Sequence, residues 1–197
     1  MAKTIQQEMG HPARNNVLKP FLVSLGFIFA LIYGLIAFNT GDALWFAANT
    51  EVSQPLRIII RDQGERIIYQ PGDPEFDILA PLVERGISSL NNNALIEIGL
   101  SENTLTDYNN TFTVMEIHYD QPIKFGTTFR TGEPTQLLIP ITGRHAGAGL
   151  FFRGNEDGWF YGALRMGDPL PLYNTLAELG YNATVFDPSQ TSDNGND

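Results

Sequence analysis

The sequence predicts an α+β fold behind an N-terminal transmembrane helix: a mainly antiparallel sheet of about seven or eight strands with two helices on one face. Three observations predict it. Residues 20–38 form an uncharged apolar run. The pairs Asp73-Pro74 and Asp168-Pro169 each introduce apolar residues at helical spacing. Around them lie short β-branched and aromatic runs punctuated by turn residues.

The apolar run reaches from Pro20 to Phe38 without a charge. At a helical rise of 1.5 Å per residue it covers roughly 28 Å, close to the hydrocarbon thickness of a bilayer. A core helix of a soluble domain would show a polar face, and this run has none. Arg14 and Lys19 precede it while Asp42 and Glu51 follow. The positive-inside rule then puts residues 1–19 in the cytoplasm and the C-terminal domain outside the cell membrane, in a single pass. Trp45 and Phe46 suit the outer interface. The competing reading is a cleaved signal peptide, but its apolar region typically runs about 7–15 residues. Neither Ala43-Leu44-Trp45 nor Phe46-Ala47-Ala48 supplies a small-x-small cleavage site, so an uncleaved anchor is preferred. Gly26, Ala30 and Gly34 recur every four residues along it. Small side chains on one helix face allow close approach of another transmembrane protein or a second copy.

Residues 39–55 read as a juxtamembrane linker. Leu56 to Arg61 and Glu65 to Tyr69 predict two strands joined by the turn Asp62-Gln63-Gly64, a β-hairpin. Asp73-Pro74 opens a helix with Phe76, Leu79, Val83, Ile87 and Leu90 on its apolar face. Pro81 is expected to bend or split it. Ala94 to Leu100 reads as a strand and residues 101–111 as an exposed loop. Phe112 to Tyr119 is a strand whose period of two sends Met115, Ile117 and Tyr119 to the core and Glu116 and His118 to the other face. Residues 123–129, Gln136 to Ile141, Gly149 to Arg153 and Trp159 to Met166 read as further strands, with a turn at Gly154 to Gly158. Leu172, Tyr173, Leu176 and Leu179 mark a second helix ending at Gly180. Residues 181–186 close the 56–186 domain with a short strand, and residues 187–197 form a polar, disordered tail.

Composition narrows the chemistry. The 197-residue chain has a formal net charge of −10. Residues 40–197 carry nine basic and twenty-one acidic side chains, a balance of −12. A domain this acidic repels phosphate backbones, so nucleic acid is not an expected partner. Cysteine is absent, which removes disulfides, thiolate nucleophiles and cysteine metal sites. Patterns for serine nucleophiles are absent as well.

Two constellations remain. Thr142 to Gly149 is glycine-rich, and its backbone amides can form an anion nest with Arg144, His145, Gly147 and Gly149 as the candidate ligand site. It lacks the Gly-Lys-Ser/Thr ending of a phosphate loop, and a plain connection between strands is the simpler reading. Glu116, His118 and Asp120 alternate along one strand, with Glu97 on a neighbouring run. Glu116 and His118 are candidate metal ligands or an acid–base pair. The simpler reading is an open sheet face laddered with Arg57 and Arg61. No cofactor is implied.

The expectation is therefore a membrane-anchored extracytoplasmic accessory or interaction protein, a non-catalytic subunit or assembly factor. Its expected partners are the lipid bilayer and a second transmembrane helix at Gly26, Ala30 and Gly34. The alternative is a sensory or small-anion-binding domain that signals through a partner. A metal-dependent extracytoplasmic enzyme comes third.

Overall fold

The computed structural model describes residues 18–41, 43 and 54–183. The expectations for Arg14, Trp45, Phe46, most of the linker and residues 184–197 lie outside the described residues.

Helix α1 (Leu18–Thr40) is long and apolar enough to cross a membrane, a property that a signal sequence shares. Gly41 ends it in the left-handed region at φ 74°, and its amide bonds the Ala37 carbonyl at 3.0 Å.

Beyond it stands an α+β domain built on a seven-stranded antiparallel sheet. Strands β1 (Arg57–Asp62) and β2 (Glu65–Tyr69) form the expected hairpin. Gln63 and Gly64 both take positive φ (50° and 89°), as a two-residue turn that matches strand twist requires. Strands β3 (Val114–His118), β4 (Gln136–Pro140) and β5 (Leu150–Asn155) follow, then the short β6 (Gly158–Trp159) and β7 (Leu164–Arg165). The sheet order is β2-β1-β3-β4-β5-β6, with β7 also paired to β5. Strand β2 is an outer strand, bonded only to β1 among the described residues.

One sheet face carries the main core. Ile58, Ile60, Met115, Ile117, Leu137 and Ile139 point into it and meet helices α2 (Pro74–Ser88) and α4 (Leu170–Glu178). Phe76, Leu79, Val83 and Ile87 are buried as their spacing predicts. Pro81 does not split α2. It lies on the exposed side, next to solvent that can take up the carbonyl left without its helical partner.

Several elements depart from expectation. Residues 101–111 are not a loop: helix α3 (Glu102–Asn110) forms there, and the Ser101 hydroxyl caps it by accepting from the Thr104 amide at 3.2 Å. Helix α3 packs on the face opposite α2 and α4, so helices cover both faces. Its Tyr108 joins Val114, Leu138, Phe152 and Ala163 in a second, smaller core. Ala94 to Leu100 is not a strand. Only Ile96 bridges Ala163, and the Ile98 amide turns back to the Ile96 carbonyl at 2.8 Å, which breaks the ladder. Residues 123–129 are likewise irregular, although Ile123 and Phe125 are buried in the main core. The run 159–166 divides between β6 and β7, and residues 181–183 have no strand.

Buried Arg153 ties this end of the sheet together. Its Nη1 donates to the Thr131 carbonyl, and its Nη2 donates to those of Tyr161 and Gly162 at 3.1 and 3.0 Å.

Candidate functional site: a polar cleft over strands β1 to β3

Alternation along the strands decides what faces the cleft. With Ile58 and Ile60 in the main core, Arg57, Ile59 and Arg61 of β1 must face the other way, alongside Glu116 and His118 of β3. Helix α3 packs against β1 on this side, and its buried Tyr108 covers Val114, Leu138 and Phe152 of β3 to β5. The remainder is a cleft of about 350 Å³, lined by Arg61, Arg66, Glu116, His118 and Gln136, with Trp159 and the α3 side chains Leu105 and Asn109 at its margins.

The polar groups are ordered by register. Arg57 stands opposite His118, and its Nη2 lies 3.5 Å from Nδ1 of that ring. Since arginine only donates, Nδ1 accepts and the ring hydrogen sits on Nε2. That atom is buried without a hydrogen bond and points toward Glu116 Oε2 at 3.7 Å. Arg61 Nε donates to Glu116 Oε1 at 2.7 Å. Burial by itself would raise the Glu116 pKa, but His118 and Arg61 together outweigh it and hold the carboxyl below its ordinary 4.5.

Arg66 is the exception. It faces Arg61 directly across the β1–β2 ladder. Glu116 neutralises Arg61, whereas the exposed Arg66 side chain has no hydrogen bond or ion pair among the described residues. Like charges opposed on a ladder repel. The cleft lining therefore holds two guanidinium groups and one carboxylate, in a domain whose balance is −12.

The expected site residues fall in three places. Glu116 and His118 come together in the cleft, while Asp120 lies in a bend beyond β3 and Glu97 in the irregular 94–100 segment. Among the described residues no group of three His, Asp or Glu side chains could hold a metal ion, and Arg61 already occupies one Glu116 oxygen.

Arg144, His145, Gly147 and Gly149 lie elsewhere, in the β4–β5 connection. Gly143, His145, Gly147 and Gly149 all take positive φ there. The loop is packed inward: Gly147 and Gly149 are buried, and the Tyr108 hydroxyl donates to the Arg144 carbonyl. The His145 ring meets Phe152 edge-on at 5.4 Å. Burial, helped by the charge of Arg144, lowers the His145 pKa. Gly26, Ala30 and Gly34 are exposed on α1, and a Cβ added at Gly26 or Gly34 would meet nothing within 4 Å.

Sequence patterns did not mark Arg66 or Gln136 as site residues, and they pointed to Trp159 only as part of an exposed Trp159-Phe160-Tyr161 cluster and not as the wall of a cleft. Arg66 was legible as the partner of Arg61 once the two-residue hairpin turn fixed the register. Gln136 and Trp159 reach the cleft through non-local pairing that no local pattern announces. Comparison of the chain with protein-family models, curated proteins and solved structures finds no match.

Proposed function

We propose that the chain is a single-pass, membrane-anchored binding protein whose extracytoplasmic domain takes a small organic anion into the cleft between α3 and strands β1 to β3. The opposition of Arg66 to Arg61 carries this reading, because an anion between the two guanidinium groups relieves a repulsion that the protein leaves half neutralised. Trp159, Leu105 and Leu138 offer an apolar wall for the rest of such a ligand, and Gln136 and Asn109 offer amides to orient it. The volume falls within the range of small-molecule sites. The cleft displaces the glycine-rich loop as the preferred anion site, because that loop spends its groups on internal packing.

The test is thermal shift and calorimetry on the detergent-solubilised full chain against small carboxylates and phosphate esters. At least one should bind, and Arg66→Ala should weaken it about tenfold or more, the scale of a charge-assisted hydrogen bond. Binding unaffected by Arg66→Ala would place the ligand elsewhere and refute the cleft.

The second reading, an accessory subunit packed through its helix, is favoured by the open surface at Gly26, Ala30 and Gly34. Replacing Gly26 and Gly34 with leucine should then reduce the size of the detergent-extracted assembly. A monomer before and after would count against it.

A further inference from the structure

The C-terminal end of α1 is built into the domain. Helix α1 has no basic residue in its last turn to face its own carbonyls. The domain supplies one: Arg130 Nη2 donates to the Phe38 carbonyl at 3.1 Å, and its guanidinium lies 6.0 Å from the centre of the Phe38 ring. Asn39 Nδ2 in turn donates to the Thr128 carbonyl at 2.8 Å.

The segment that receives the helix is unlike the rest of the domain. From Gln121 to Gly132 it contains Lys124 and Arg130 and no acidic residue, in a domain that otherwise carries a large excess of carboxylates. Lys124 is the only lysine of the domain, and both it and Arg130 are exposed. Buried Ile123 and Phe125 hold the segment to the core, so its exposed residues move with the domain and not as a free loop.

Depth follows from length. Leu18 to Asn39 makes 22 residues, about 33 Å of helix, against roughly 30 Å of hydrocarbon. Phe38 and Asn39 then lie where hydrocarbon gives way to headgroups, and Arg130, bonded to Phe38, lies at the depth of lipid phosphates.

We propose that the segment Ile123–Thr131 is a membrane-contact surface, with Arg130 and Lys124 facing the phosphates of anionic phospholipids and seating the domain on the outer leaflet. This rests on the membrane-anchored reading above. Each such cation near an anionic surface adds to the attraction. The two offset the repulsion that an acidic domain meets there, and they fix which side of it faces the bilayer.

The chain lacks cysteine, so one introduced thiol is unique. Gly126 is exposed with open space at its Cβ position, and Arg144 is exposed at the opposite end of the sheet, beyond β4. The full-length chain carrying Gly126→Cys or Arg144→Cys is labelled with a fluorophore and reconstituted into phosphatidylcholine vesicles with and without phosphatidylglycerol. Quenching by a nickel-chelating lipid headgroup is then measured.

The expected result is strong quenching at position 126, several-fold weaker quenching at 144, and a loss of that difference when Lys124→Gln and Arg130→Gln are combined. Arg130→Lys, which keeps the charge, should preserve it. Equal quenching at both positions, or a difference untouched by removing both cations, would overturn the seat while leaving the anchor standing. Alkaline carbonate extraction separates the two: a chain released from vesicles by carbonate overturns the anchor, and the seat with it.

Discussion

Arg153 offers the sharpest test of how the domain is held together. It is 2% exposed and has no acidic partner among the described residues, yet it donates to three backbone carbonyls from two separate segments. Arg153→Met keeps much of the side-chain volume and removes every donor. Hydrogen bonds from a charged group contribute about 1.5–3 kcal/mol each, and a buried carbonyl left without a partner costs about 1–3 kcal/mol. Against this, the variant no longer desolvates a cation, which in a folded interior costs several kcal/mol. The balance is a loss of about 3 kcal/mol, because the Tyr161 carbonyl belongs to an exposed residue and can find water while those of buried Thr131 and Gly162 cannot. For a domain of this size that corresponds to a fall in Tm of about 10 °C. Far-UV circular dichroism of the detergent-solubilised chain measures it, with Arg153→Lys expected between the two because one amine cannot serve three carbonyls. An Arg153→Met variant that melts within about 2 °C of the parent would refute the view that these hydrogen bonds hold residues 131 and 161–162 to the sheet.

Three further outcomes are expected. Gly143→Ala should lose about 2 kcal/mol or more in urea unfolding, since φ 77° strains any side chain and the new Cβ would overlap the Phe112 ring. Glu116→Gln should destabilise the domain by about 1–3 kcal/mol by leaving Arg61 and Arg66 opposed without a carboxylate. The same change should tighten anion binding in the cleft, and calorimetry showing weaker binding would contradict the assigned charge pattern. Stability should fall on acidification: His145 is held below its ordinary 6.5 and Glu116 below 4.5, so the unfolded chain binds more protons at both sites. The stabilisation is present above those values and lost as pH drops through them, and His145→Gln should flatten the upper part of a Tm–pH curve. Stability that rises as pH falls from 7 to 5 would run against the His145 assignment, and a rise on further acidification below 4.5 against that of Glu116.

What was legible in the sequence follows the range of the interactions involved. The β1–β2 hairpin, the apolar face of α2 and the inward alternation of Met115 and Ile117 are local patterns, and each stands where its spacing puts it. Helix α3 was hidden because only Leu105 and Tyr108 mark its apolar side and its polar residues favour turns as much as helices. The capping Ser101 was the available signal. Ala94 to Leu100 and residues 123–129 show the opposite failure, since strand-like composition without a free ladder to join yields packed but irregular chain. Helices on both faces could not be foreseen once α3 was missed. The cleft was half legible: the Glu116–His118 face was visible in the alternation, while Arg66, Gln136 and Trp159 depended on strand order.

Strand β2 is where this sheet stops. Its outer edge presents backbone donors and acceptors that no described residue takes up, an invitation to another strand. The strand is only five residues long, begins Glu65-Arg66, and offers Ile68 as its one well-exposed apolar side chain. An arriving chain would have to crowd Arg66 at the mouth of the cleft. On the membrane-anchored reading, copies held in one plane by their helices would meet edge to edge far more often than in solution, and a short charged border is what keeps such meetings brief.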